Sequence, residues 1–177
     1  TFIGEPLDAD QLADYEEQLE VGCSLGCAIG WTIKTTSTLK ASNGKPYKPS
    51  YLGDGKLHTA WIEGVNGYGL GEKIIIRMQG DKYSRDISFR GIEITNGFAK
   101  SDKTWAENTR VKLFKVYHND SPVFYIKLED TKTPQHIEFP PIYVNHKDTI
   151  ILEIAEGYPG TKYKNTAISE MQLYGAH

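Results

Sequence analysis

Between residues 60 and 174 the chain falls into eight short apolar runs, each closed by a turn signal: 60–63, 73–78, 87–95, 110–117, 124–128, 136–139, 149–155 and 168–174. Several alternate with period two. In 149–155, Ile150, Leu152 and Ile154 point one way, while Thr149, Ile151, Glu153 and Ala155 share the other, mixed face. A strand of this kind can bury its apolar face only against a second layer. Runs so short and so regularly punctuated, with almost no helical period, predict an all-β fold: a two-sheet antiparallel sandwich. In 110–117 the phase slips at Leu113 and Phe114, as a bulge would cause. Trp31, Ile33 and Thr35 add another alternating stretch, and 37–58, rich in Ser, Asn, Gly, Pro and Lys, reads as a long loop.

The first thirty residues are different in kind. Residues 5–20 are acidic, with Leu12, Tyr15 and Leu19 at helical spacing, which predicts a short amphipathic helix or a linker packed against the domain. Cys23 and Cys27 form a single pair with no second cluster, so a zinc site, which wants four ligands, is not expected. A short-loop disulfide and two buried thiols both remain open. The division is therefore an N-terminal segment, 1–30, and a β domain, 31–177. The opening at Thr1, without initiator Met or signal peptide, reads as a trimmed or mature form.

Charge and composition exclude several functions. A net charge of −3 with scattered Lys and Arg lacks the basic stripe of a nucleic-acid binder. No apolar run is long enough to span a membrane as a helix. Eleven Tyr and three Trp favour surfaces half apolar and half wet. Catalysis is not signalled: Gly-x-Ser-x-Gly is absent, the five histidines (58, 118, 136, 146, 177) are scattered, and no pairing is marked among Glu63, Asp102, Glu107 and Glu156.

Three loops carry the side chains that a ligand could use. Residues 96–110 are longer than a hairpin needs and contain Phe98, Lys100, Trp105, Asn108 and Arg110. A pyranose presents an apolar C–H face and a hydroxyl edge, and this loop offers aromatic, amide and guanidinium partners for both. Phe98 reads as the packing ring and Trp105 as the binding one. In 156–165, Pro159-Gly160 favours a turn that sets Tyr158 and Tyr163 on either side, with Lys162 between. In 63–71, four glycines let the backbone approach something closely, and Glu63 could accept from sugar hydroxyls or pair with Arg110 or Lys100.

Asp54-Gly55 is a turn leading into a strand with Trp61 as a core residue. Alternatively, Asp54, turn carbonyls near Lys56 and Thr59, and the Glu170 carboxylate gather on calcium, which takes oxygens of this sort. Spacing does not choose between these readings.

The segment YLGDGKLHTAW (51–61) resembles the N-terminal signature of discoidin-like domains, also called coagulation factor type C or galactose-binding-like domains. The segment AISEMQLYG (167–175) resembles their closing strand. A longer resemblance, through TAWIEGVNGYGLGEKI, ITNGFAKSDKTWAENTRVKLF and EGYPGTKYKNTAISEMQLYG, is to the NADase-type glycan-binding domain. It covers about residues 31–175 and leaves the N-terminal segment outside. The resemblance implies a jelly-roll sandwich that binds carbohydrate without catalysis, on a secreted, periplasmic or cell-surface protein. It implies a glycan ligand, held on this reading by Glu63, Lys100, Trp105, Asn108, Arg110, Tyr158, Lys162 and Tyr163. It also implies a structural Ca2+ at Asp54, the Lys56, Thr59 and Ala167 carbonyls, and Glu170. The first rival reading is a protein–protein adhesion domain that uses the same loops, and the second is a hydrolase with an unmarked carboxylate pair.

Overall fold

The alternating runs become strands, and the strands stack as two sheets. The computed structural model describes residues 1–21, 25, 29–42, 44–80 and 87–176. Cys23 and Cys27 lie outside the described residues, and with them the choice between disulfide and thiols. The strands are β1 (Phe2–Ile3), β2 (Glu5–Pro6), β3 (Gly30–Thr35), β4 (Trp61–Ile62), β5 (Lys73–Gln79) and β6 (Ile87–Asn96), then β7 (Arg110–His118), β8 (Ser121–Lys127), β9 (Gln135–Val144), β10 (Thr149–Tyr158) and β11 (Ala167–Ala176). Two helices, α1 (Ala9–Val21) and α2 (Asp102–Glu107), and a 3-10 turn at Pro49–Gly53 complete the described elements. One sheet is ordered β1-β8-β7-β10-β5-β3 and the other β2-β9-β6-β11-β4.

Period-two patterning supplies the core between them. Ile74, Ile76 and Met78 of β5, Val111, Phe114 and Val116 of β7, and Ile150, Leu152 and Ile154 of β10 pack with Phe89, Ile92 and Ile94 of β6 and Met171 and Leu173 of β11. Trp61 is fully buried in the same cluster, and its Nε1 donates to the Ser37 carbonyl at 3.1 Å, so the polar tip of the ring has a partner. The phase slip expected in β7 is present: Val111, Phe114 and Val116 are buried, while Lys112 and Leu113 are partly exposed. β7 has an extra residue of its own, Lys112, between Val111, paired with Gly157, and Leu113, and its neighbour carries a second. Phe114 pairs with Ile154 and Leu113 with Glu156, leaving Ala155 as the bulge in β10.

Of the two N-terminal alternatives, the helix is the one that forms. Asp8 caps α1, with Oδ1 accepting from Asp10 N at 3.0 Å and Gln11 N at 2.9 Å, while Gln11 Oε1 accepts from Asp8 N. Tyr15 is buried, and its hydroxyl meets Thr95 Oγ1 at 3.0 Å on the outer face of the β2-containing sheet. On that face Glu93 also bonds His136 Nδ1 at 3.1 Å and accepts from Tyr174 OH at 2.6 Å. Just before the helix, residues 2–6 clasp both layers: β1 runs parallel to β8, and β2 antiparallel to β9.

Candidate functional site

At one end of the sandwich three connections meet, and each is held by backbone chemistry. The chain leaves β6 through Gly97, whose φ of +83° few side chains tolerate and whose Cβ would fall 2.7 Å from Trp105 and Arg110. Ser101 then caps α2: its Oγ accepts from Thr104 N at 3.1 Å, and Thr104 Oγ1 accepts from Ser101 N at 3.0 Å. The last carbonyls of a helix lack intrahelical partners. Here the β10–β11 connection supplies them. Thr161 N donates to Ala106 O at 2.9 Å, and Tyr163 N to Glu107 O at 2.8 Å. Tyr163 is thereby fixed beside the end of α2. The third wall is the long loop 37–58, where Tyr47 sets its ring edge-on to Phe98, centroids 6.3 Å apart at 88°.

Between these walls runs a groove of two adjoining basins. The larger, of about 480 Å³, is lined by Lys45, Tyr47, Tyr51, His58, Phe98 and Lys100 among others. The smaller, of about 250 Å³, lies between Tyr47, Phe98, Glu107, Asn108, Tyr163 and Asn165. Tyr47, Phe98 and Thr104 border both. A concave site with an aromatic corner and a few polar groups is the form that small-molecule sites take.

Of the residues expected to bind, Lys100, Asn108 and Tyr163 line this groove, and Lys162 flanks it, its Nζ 4.8 Å from the Tyr163 ring centre and 4.0 Å from Glu107 Oε1. Four others are engaged elsewhere. Trp105 Nε1 donates to Asn96 O at 2.9 Å, and the Arg110 guanidinium lies 4.4 Å over its ring. Arg110 is itself buried: Nε and NH2 donate to the two Asp130 oxygens at 3.0 and 2.9 Å, and NH1 to the Asn108 carbonyl. These two side chains pin the loop to the sandwich from below. Tyr158 donates its hydroxyl to Leu128 O at 3.0 Å. Glu63 is fully buried, its carboxylate accepting from Val65 N at 2.8 Å and Thr166 N at 3.0 Å. Burial pushes its pKa up, against those hydrogen bonds. Gly69, at φ +67°, leaves room for it, since a Cβ there would sit 2.6 Å from Glu63 Cγ. Glu63 thus latches the glycine-rich loop from inside.

Phe98 packs as expected, against Ala60, Ile62 and Ala167, and its ring also borders the groove, whereas Trp105 is held by Asn96 and Arg110. Tyr47, Tyr51 and Asn165 were not among the expected ligands. A Pro-flanked tyrosine in a long loop was the available signal for Tyr47, but which strand end it would reach is not written locally.

The Asp54 turn and the last strand do meet. Gly55 N donates to Glu170 Oε2 at 3.0 Å, and Asp54 accepts from Lys56 N and from Thr59 Oγ1, both at 3.0 Å. The Lys56 carbonyl lies 2.9 Å from the same Thr59 Oγ1, within reach of its one hydrogen. The Ala167 carbonyl accepts from Gly97 N at 3.0 Å and keeps a second lone pair. Desolvation, and then the Asp54 charge, push the Glu170 carboxyl up to about 7. Neither carboxylate has an ion-pair partner among the described residues. Glu170 is buried and Asp54 half-buried, and two neighbouring carboxylates without a cationic partner are ligands of the kind a hard cation takes.

Comparison with known proteins agrees with this architecture. No curated protein sequence matches the chain. Among solved structures it is similar to the CBM32-1 and CBM32-2 domains of Clostridium perfringens ZmpB in complex with GalNAc, at TM-score 0.62 and 14% identity over 98% of this chain and 39% of that one. It thus spans about two fifths of that protein chain. It is also similar to CpGH89CBM32-5 of C. perfringens in complex with GalNAc-β-1,3-galactose, at TM-score 0.56 and 14% identity over 81% of this chain and 94% of that one. A chitobiase C-terminal domain from Bacteroides fragilis matches at TM-score 0.55 and 15% identity over 82% of this chain and 93% of that one. These likenesses bear on the fold, a discoidin-like β-sandwich. The family model described as "NAD glycohydrolase translocation F5/8 type C domain" matches residues 27–174. With its sandwich, its closing strand against the Asp54 turn and that match over most of its length, this chain belongs to the NAD glycohydrolase translocation F5/8 type C domain family.

Proposed function

We propose that this domain is a non-catalytic carbohydrate-binding module that carries a secreted or surface-exposed protein to glycans, and that the sugar sits in the loop-end groove. The observation that carries this reading is the Phe98–Tyr47 corner, open to both basins and rimmed by Thr104, Glu107, Asn108 and Asn165. An aromatic face meets the C–H side of a pyranose, and the rim supplies partners for its hydroxyls. The neighbours in complex with GalNAc and with GalNAc-β-1,3-galactose support the ligand class.

A hydrolytic role has less support, because the loop carboxylates have other partners. Glu63 is buried as a latch, Asp102 pairs with Lys132, Glu156 with Lys112, and Glu107 lies beside Lys162. A structural Ca2+ would be held by the Asp54 and Glu170 carboxylates with the Lys56, Thr59 and Ala167 carbonyls. Bound there, it would neutralise two close negative charges and tie the last strand to the turn.

The test is a glycan array probed with the wild type, Phe98→Ala and Tyr47→Ala, in calcium and in EDTA. Selective binding lost in both variants, each still folded although Phe98 and Tyr47 also pack against Ala60, Ile62 and Ala167, is the expected result. A silent array from folded wild type overturns the reading. The adhesion alternative is favoured by one observation: Val65, Tyr68 and Leu70 are all exposed on the glycine-rich loop. Capture of a target that survives deglycosylation would support it.

A further inference from the structure

The two basins differ in charge. The 37–58 segment carries Lys40, Lys45, Lys48 and Lys56 against a single acid, Asp54, and of these Lys45 lines the larger basin. That acid is turned into its own turn, accepting from Lys56 N and Thr59 Oγ1. On the opposite wall, Lys100 faces the same basin, and the nearest acid in sequence, Asp102, is taken by Lys132. Neither Lys45 nor Lys100 pairs with a carboxylate among the described residues. No acid lines the larger basin, whereas the smaller one contains Glu107. The asymmetry extends to the whole chain. Residues 1–33 hold seven Asp and Glu and no Lys or Arg, so the rest of the chain is net positive although the protein is net negative.

Unneutralised cations on both walls of a concave basin attract a complementary charge and penalise a like one. A neutral sugar would leave Lys45 and Lys100 without an ionic partner. An acidic sugar would meet them while its ring rests against Phe98. Resting on the glycan-binding reading above, we infer that the larger basin selects an anionic sugar, one whose carboxylate or sulfate ester lies between Lys45 and Lys100, with its apolar face on the Phe98–Tyr47 corner. The smaller basin, with Glu107, Asn108 and Asn165, takes the adjoining neutral residue of the chain.

The experiment is calorimetric titration of the whole domain with two matched pairs of probes. One pair is a carrageenan oligosaccharide, a sulfated galactan, and its desulfated, neutral form; the other is a galacturonic acid oligosaccharide and its carboxyl-reduced form. The pairs separate sulfate from carboxylate as the recognised group. The acidic member of at least one pair is expected to bind more tightly by about tenfold at low salt, with the preference shrinking as salt screens the charges. Lys45→Glu and Lys100→Glu should each abolish the preference without loss of melting temperature, while Phe98→Ala should weaken both members of the pair. Equal binding of both members, or a preference that survives both lysine reversals, overturns the inference and leaves the groove reading intact. Failure of all four probes in a protein whose array shows neutral glycans also overturns the inference alone. Failure of the probes together with a silent array overturns both.

Discussion

At the scale of single residues, partners decide which aromatic and acidic side chains are free for a ligand. Trp105 spends its N–H on Asn96 and its ring face on Arg110. Trp105→Ala should therefore cost about 2–4 kcal/mol of stability through lost packing and the cation–π contact. Denaturant melts check this, and a variant as stable as wild type would contradict the packing role. Glu63→Gln places an amide N–H where backbone donors now converge. It should destabilise by about 1–3 kcal/mol, because the amide oxygen can still accept from one of Val65 N and Thr166 N while the other loses its acceptor. His136 titrates differently. Its hydrogen bond to Glu93 outweighs burial and raises its pKa above the ordinary 6.5. The protonated ring is thus favoured in the folded state, so the pair contributes fully below that value and fades as pH rises through the raised one. The stability difference between wild type and His136→Asn should be largest in mild acid and shrink above neutrality. A difference that stays constant across that range would refute the assignment.

At the scale of elements, the closing strand and the Asp54 turn form one unit. Glu170 projects from β11 to Gly55, beside the Asp54 carboxylate. If calcium occupies this place, EDTA should lower the melting temperature of wild type and leave Glu170→Gln nearly unchanged, since the variant lacks the ligand. In EDTA the variant should match or exceed wild type, because it removes one of two like charges. Equal EDTA sensitivity of both proteins would count against the site. The loop between β6 and β7 makes the complementary point. The residues Ser101 and Thr104 mark a helix start that is readable locally. Its far end, however, is completed by backbone donors from residues 161–163, which sequence proximity could not reveal.

For the whole molecule, the N-terminal clasp matters most. Residues 2–6 cover the outer edge of β8 and then of β9, one in each sheet. Exposed edges are templates for pairing with another chain. Removal of residues 1–8 should therefore promote self-association, seen in sedimentation as a concentration-dependent shift, while glycan binding persists at the groove, which none of these residues lines. A truncated domain that stays monomeric at high concentration would contradict this. The clasp was not legible because two-residue strands carry no period. Their pairing comes from position rather than from pattern.

The sequence alone determined the class of fold, because period-two burial between turn residues admits few solutions. It also determined Trp61 as a core residue and, through its resemblance, drew attention to Asp54 and Glu170. Only tertiary structure decided which loop residues face outward. Phe98 and Trp105 are chemically alike and seven positions apart, both half-buried, and their partners, Asn96 and Arg110 for Trp105 and Tyr47 for Phe98, determine which of them borders the groove. Local chemistry dictates that an aromatic ring needs a surface. Whether that surface is the protein's own or a ligand's depends on partners brought together from distant parts of the chain.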